Sequence, residues 1–428
     1  MRTTAGGSGQ SRWRRIPAAA TVAAFIAFMA SPTAAAAAAP SHRSGLIVPT
    51  VDGKLQGKHA EGIDQFLGVP YAAPPVGALR WQAPQPAQPW HGVRSATSYG
   101  NRCPQLASGN GPREDTEDCL FLNVFTPSDT HGRGLPVLVM IHGGGLVNGA
   151  GDQHDGSLIV NTDHIVVVSF NYRLGVFGFL DVPGLGTSPL TANGNYGLLD
   201  QMAALRWVQR NIAAFGGDPR RVTIAGESAG EGRTFTQGLA SLTQQQYIQF
   251  AGQLYGSLAP AILQRYPWSA FPGPYTAAYA IGAIWTDSGF LTGIGGCPTQ
   301  NLAARFASTT QTFFYQFDDR HAPGLNHNLP GYQWGAGHAM ELAYLWPSFN
   351  NGFSLYDLLT PAQLQLSHQM IVWWGAFTRL GAPEAPGQPL WPTYTSGRLM
   401  SLRPGDQSRT ITAAMFGAEH QCAFWNAG

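Results

Sequence analysis

The chain has 428 residues, of which 44% are hydrophobic and only 11% charged, with a formal net charge of +1. That is enough apolar material for one large α/β core, and the near-neutral balance leaves no electrostatic footprint for nucleic acid or an anionic membrane surface. A neutral or apolar small-molecule ligand fits this composition better.

Residues 1–39 read as an address, separate from the fold. Arg2, Arg12, Arg14 and Arg15 precede an apolar run from Ile16 to Met29, and an alanine-rich tract follows and ends at Pro40. A basic start, a short apolar run and small residues form the pattern of a secretory signal peptide, with cleavage expected between Ala34 and Pro40. The run is shorter than the ~20 apolar residues that span a bilayer, so no stable membrane anchor is expected. The Arg14-Arg15 pair hints at twin-arginine export. Residues 40–428 are then a single secreted domain.

Within it, Gly45 to Gly62 alternates around Asp52-Gly53, the signature of a β-hairpin. Gly68 to Pro89 is dense in proline and predicts an irregular segment. Val137–Ile141 and Ile165–Ser169 are continuous apolar runs, as expected of strands buried on both faces of a parallel sheet, and Val222–Ala225 predicts a third central strand. Between the second and third, Leu198, Met202, Leu205, Val208 and Ile212 recur at helical spacing over Gly197 to Ala214. This order predicts an open α/β sheet. Leu239–Leu263 and Gln363–Leu380 also have helical periodicity, and no internal repeat interrupts the chain.

Two glycine-rich stretches stand at the ends of such runs. Gly226-Glu-Ser-Ala-Gly230 follows the third strand and has the form of a nucleophile elbow, in which small neighbours let the backbone bend sharply and raise Ser228 above the sheet. His142-Gly-Gly-Gly145 follows the first strand, and consecutive glycines allow backbone N–H groups to converge on the oxyanion of a tetrahedral intermediate. Either alone is an ordinary glycine turn; together they are the combination expected of a lipase or esterase-type hydrolase.

Cys103, Cys119, Cys297 and Cys422 show no C-x-x-C spacing and lie far from paired histidines, which argues against zinc. An even number in an exported chain suggests two disulfides. Three pairings are open, and the near pair Cys103 with Cys119 plus the remote pair Cys297 with Cys422 is the simplest.

Several further segments occur in an order that resembles the type-B carboxylesterase family, which includes the cholinesterases. They are Phe66-Leu-Gly-Val-Pro-Tyr71 with Pro74-Pro75 and Leu79-Arg80, Glu117-Asp-Cys-Leu-Phe-Leu-Asn-Val124, Asn171-Tyr-Arg-Leu-Gly175, Gly194 to Asp200, and Asn211 to Pro219. Gly335-Ala-Gly-His338 with Glu341-Leu342, and Cys422-Ala-Phe-Trp425, continue the match beyond the elbow. The resemblance implies an α/β-hydrolase fold with a central, mostly parallel sheet flanked by helices, and a serine ester hydrolase that needs no cofactor. It implies Ser228 as nucleophile, His338 as general base, the amides of Gly144, Gly145 and Ala229 as oxyanion hole, and both disulfides of the simplest pairing. No oligomeric state follows from it.

One junction departs from the family. The third catalytic acid maps to Glu231, in Glu231-Gly-Arg-Thr-Phe235, yet it stands only three positions after Ser228 where family members place a long stretch. The chain thus resembles a member with a large internal deletion after Gly230, a fold truncated in its middle, and the alternative to an active esterase is a catalytically impaired or binding member. Three residues can span ~10 Å, so a Ser228-His338-Glu231 relay is within reach of the chain. Glu227 is expected to point away from Ser228 in a structural role, and Asp287 is a further acid that could reach the histidine from another loop.

Overall fold

The computed structural model describes residues 46–108, 110–128, 133–182, 194–228, 238–271, 273–289, 295–324, 329–349 and 354–427. The signal-peptide reading of residues 1–39 and the junction residues Ala229, Gly230 and Glu231 lie outside these.

The predicted hairpin forms. Ile47–Pro49 (β1) pairs antiparallel with Lys54–Gln56 (β2), and Thr50 and Gly53 close the turn through reciprocal backbone hydrogen bonds. The main sheet contains Lys58–Ala60 (β3), Ile63–Pro70 (β4), Phe121–Pro127 (β6), Leu135–Ile141 (β7), Val166–Phe170 (β8) and Gly217–Gly226 (β9), in the order β3-β4-β6-β8-β7-β9. Val93–Ser95 (β5) joins the hairpin sheet. Strands β8, β7 and β9 run parallel, and β3, β4 and β6 complete the sheet antiparallel. Tyr315–Phe317 (β10), Arg398–Leu402 (β11) and Arg409–Thr412 (β12) form a separate three-stranded sheet.

Alternation along the buried strands divides the core. Leu138, Met140 and Val167 face a cluster with Ile159 and Val160 of Ser157–Asp163 (α1) and with Leu366, Met370 and Trp373 of Pro361–Leu380, while Met400 and Leu402 of β11 join the same cluster. Val137, Val139, Val166 and Val168 face the opposite way, toward Ala203, Ala204, Trp207 and Val208 of Tyr196–Asn211. Strands packed on both faces are built from near-continuous apolar runs rich in β-branched residues, and β7 and β8 meet that requirement.

Two sequence expectations are corrected here. The third parallel strand is an edge: among the described residues nothing pairs with the outer side of β9, and Ile224 is 55% exposed. The apolar stripe expected to face the core from Tyr196–Asn211 is also offset, because Leu198 and Met202 are 49% and 46% exposed while Ala203, Ala204 and Trp207 are buried instead. Both changes fall on one side of the sheet. The helix covers β7 and β8, and on β9 Val222 packs in part against the same cluster while Ile224 is left exposed.

The remaining chain is mostly helical. Gly175–Phe179 (α2) precedes Tyr196–Asn211 (α3); Gln244–Tyr255 (α4), Ala259–Arg265 (α5), Thr276–Ser288 (α6) and Gly296–Ala307 (α7) follow β9; Leu342–Leu345 (α8) precedes Pro361–Leu380 (α9); and Ala413–Glu419 (α10) leads to Cys422–Trp425 (α11). The threonine and glutamine three residues apart at the starts of α4 and α9 form capping boxes, Thr243 with Gln246 and Thr360 with Gln363. Disulfides join Cys103 to Cys119 and Cys297 to Cys422, with Cα separations of 4.9 and 5.2 Å, inside the range that a disulfide allows. The last ties α7 to α11. No helix among the described residues is long and apolar enough to cross a membrane.

Candidate active site

Strands β7 and β9 are parallel neighbours in register, with Ile141 opposite Gly226. The two glycine-rich motifs therefore leave the sheet side by side at its carboxyl edge, the place where open α/β sheets gather their functional loops. Ser228 has φ +38°, a left-handed conformation in a residue other than glycine. Such strain persists only where its surroundings hold it, and the glycine loop supplies part of that hold. A Cβ on Gly143 would fall 2.6 Å from the carbonyl oxygen of Glu227 and 2.7 Å from that of Ser228. Only a glycine lets the two turns touch.

Gly144 and Gly145 have φ +103° and +63°. A Cβ on Gly144 would lie 2.2 Å from the Asn148 carbonyl oxygen, whose own amide donates back to the carbonyl of Gly144 at 3.0 Å. The loop is thus a wound turn closed on itself, and glycine is required at its centre. Beneath it, the His142 ring stacks on Tyr172 at 4.3 Å, and the Tyr172 hydroxyl donates to the His142 carbonyl at 2.9 Å. Burial pushes the His142 imidazole down to about 4, so the ring is neutral at physiological pH.

His338 arrives from the far side, between β10 and α8. Gly335 (φ +59°) and Ala339 (φ +64°) bend the backbone on both sides of it. Its Nε2 lies 2.6 Å from Ser228 Oγ across 110 residues of sequence. Hydroxyl and imidazole are therefore in hydrogen-bond contact, the pairing that activates a serine at neutral pH. Ala229 and Glu231 lie outside the described residues.

A model of the Carboxylesterase family matches residues 44–257 and 257–425. The chain belongs to the carboxylesterase family. Among its curated relatives, mouse Carboxylesterase 1D is 44% identical over 237 residues, a match covering 51% of this chain and 41% of that protein. The Para-nitrobenzyl esterase of Bacillus subtilis (strain 168) is 48% identical over 192 residues, covering 43% of this chain and 38% of the relative. Fumonisin B1 esterase of Sphingopyxis macrogoltabida is 44% identical over 209 residues, covering 47% and 38%. These matches span well under half the length of the relatives. In fold, a thermophilic PNB esterase superposes with TM-score 0.65 at 25% identity over 88% of this chain and 99% of its own. The Geobacillus stearothermophilus carboxylesterase superposes with TM-score 0.68 at 24% identity over the same shares. The architecture is the α/β-hydrolase fold.

Two acids of this carboxylesterase-family chain sit differently from expectation. Glu227 does not turn away from the histidine: its Oε1 lies 3.2 Å from His338 Nε2, an electrostatic contact outside directed hydrogen-bond geometry. The glycine loop leaves room for it, since a Cβ on Gly143 would lie 2.7 Å from Glu227 Oε2. Burial first, and the nearby Glu341 charge second, push its carboxyl up to about 8. Glu341 follows His338 by three residues, and that spacing was the available signal for the acidic neighbour. Asp287 is engaged elsewhere: it accepts from Tyr266 Oη at 2.6 Å and meets His420 Nδ1 at 2.6 Å. That pair braces α6 against the C-terminal helices.

A buried ion pair ties two of the conspicuous sequence motifs together. Arg173 donates through Nε and Nη2 to Asp200 at 2.7 and 2.8 Å, with both side chains at least 97% buried. It joins the Asn171–Gly175 loop to α3, so two of the motifs quoted above serve each other. Among the described residues no group of three His, Cys, Asp or Glu side chains converges on a cation site.

Proposed function

We propose that this chain is an exported serine hydrolase of uncharged carboxylic esters, acting through an acyl-enzyme. The observation that carries the reading is the 2.6 Å contact between Ser228 Oγ and His338 Nε2, on a serine held at φ +38° beside the glycine loop. Ser228 attacks the ester carbonyl while His338 takes its proton. The amides of Gly144, Gly145 and Ala229 receive the oxyanion, and His338 returns the proton to the leaving alcohol. Water, activated by the same imidazole, then releases the acid. Glu231 is the acid assigned to orient the imidazole and balance its cation. The relatives are esterases by name, which supports the reaction class. The signal-like N-terminus and the two disulfides support export.

We read the junction after Gly230 as an internal shortening. The edge position of β9 among the described residues and the 55% exposure of Ile224 support it. The same edge favours a second reading, a family member with an impaired active site, because among the described residues the nucleophile's strand is paired on one side only. Pre-steady-state hydrolysis of p-nitrophenyl acetate separates the two. An active enzyme releases a burst of about one nitrophenol per Ser228, followed by slower turnover; release no faster than that of Ser228→Ala protein supports the impaired reading.

A further inference from the structure

The loop closed by the Cys103–Cys119 disulfide packs against the returning limb of the glycine loop, and one buried side chain makes the join. Gln105 Oε1 accepts from the Gly149 amide at 3.0 Å, and Gln105 Nε2 donates to the Gly149 carbonyl at 3.0 Å. We infer that Gln105 is a positioning residue for ester hydrolysis, holding the turn that presents the Gly144 and Gly145 amides, an inference that rests on the active-site reading above.

The reciprocal pair copies the way one strand residue pairs with another, so it fixes Gly149 in both position and orientation. The second Nε2 proton goes to the Cys103 carbonyl at 3.1 Å. From behind, the Gln105 backbone exchanges two 2.9 Å hydrogen bonds with Glu114 across the loop. The side-chain amide is thus anchored two residues from the disulfide that closes the loop at its base. Gln105 is 6% exposed, and at a buried site water does not readily replace a bond that is lost.

Gly149 passes this hold on to the oxyanion donors. It has φ +105°, and a Cβ there would fall 2.4 Å from the Gly143 carbonyl oxygen and 2.5 Å from His142 Nδ1. Its backbone therefore lies directly on the residues that precede Gly144. Gly143 in turn meets the carbonyls of Glu227 and Ser228, so a shift at Gly149 moves the donors relative to the nucleophile. Misplacement by about 1 Å costs roughly a hundredfold in rate. The same disulfide-closed loop braces this limb a second time, where Asn110 Nδ2 donates to Asn148 Oδ1 at 2.6 Å.

Gln105→Met keeps the length of the side chain and removes both bonds to Gly149. In active protein, kcat on p-nitrophenyl acetate should fall roughly 10- to 100-fold with KM within about twofold, as for a loss felt in the transition state. Asn110→Ala should lower kcat about threefold in the same manner. Glu114→Ala loosens an exposed part of the same loop, where the carboxylate accepts from the Asp115 and Thr116 amides, and should leave kcat unchanged; a loss there equal to that of Gln105→Met would mean general loop stability and overturn the inference. Hydrogen exchange read by mass spectrometry follows the hold without turnover: peptides covering residues 142–149 should exchange roughly tenfold faster in Gln105→Met than in wild-type protein. Unchanged exchange in Gln105→Met, or in Asn110→Ala where the first variant does not fold, overturns the inference whatever the esterase activity, and so does an unchanged kcat in active enzyme. Hydrolysis by wild-type protein no faster than by Ser228→Ala protein counts against the active-site reading, and the exchange rates then decide by themselves whether Gln105 holds the turn.

Discussion

Glu227 and Ser228 are adjacent in sequence and meet the same atom: Nε2 of His338 lies 2.6 Å from the serine oxygen and 3.2 Å from the Glu227 carboxylate oxygen. Burial and the Glu341 charge push that carboxyl up to about 8, so at neutral pH it is protonated and adds no second charge beside the imidazole. In the unfolded chain it ionises near 4.5. Between these values the unfolded state loses a proton that the native state keeps, and stability falls as pH rises from about 4.5 to 8. Glu227→Gln should therefore raise the melting temperature more at pH 8 than at pH 5. Thermal unfolding at the two pH values checks this, and an equal shift at both would refute the protonated assignment.

Gly144 has no tolerance for a side chain, with φ +103° and a virtual Cβ 2.2 Å from the Asn148 carbonyl. Gly144→Ala should rearrange the turn and misdirect an oxyanion donor. The expected loss in kcat is on the order of 100-fold, with KM changed far less. Steady-state kinetics on a soluble p-nitrophenyl ester is the measurement.

His142 and His154 are both buried, and burial pushes their imidazoles down to about 4 and about 3. Their unfolded value is 6.5. Below that pH the unfolded chain gains protons that the native rings refuse, so the stabilisation is complete above 6.5 and is lost progressively as pH falls toward 3. Melting temperature should decline across that window, and His154→Leu should flatten the slope. His154 packs edge to face on Trp346 with centroids 5.4 Å apart, so the variant also loses some stability at neutral pH.

The uneven cover of the sheet makes a stability prediction. Leu138 on β7 is 1% exposed and Ile224 on β9 is 55% exposed. Leu138→Ala should cost about 2–5 kcal/mol, the usual range for truncating a buried leucine, whereas Ile224→Ala should stay within about 1 kcal/mol. Urea unfolding of both variants compares them, and a large cost at Ile224 would mean that this edge is covered in the working protein.

Much of this arrangement was legible in the sequence. The β-branched runs located β7, β8 and β9, and the glycine motifs located both turns of the site, because a tight backbone approach leaves glycine few substitutes. What an apolar run does not report is its neighbours. Val222 to Ala225 reads like a central strand and is an edge among the described residues, and Leu198 and Met202 repeat at helical spacing yet face outward. Strand β6 was missed as a strand because Asn123 interrupts it; that side chain is buried and donates to Ser169 Oγ at 3.2 Å. The placement of Glu227 against the glycine loop depends on the tertiary contact of two turns 84 residues apart, and the pairing of Asp287 with His420 likewise joins a helix to a turn that meet only in the fold.

Labelling with a fluorophosphonate probe tests the central claim most directly, because it requires a serine hydroxyl activated by an imidazole and no particular ester. Purified, folded protein should incorporate one probe, mapped by peptide mass spectrometry to Ser228, with incorporation abolished by Ser228→Ala and strongly slowed by His338→Ala. Absence of labelling, or labelling that persists in Ser228→Ala, would contradict the account.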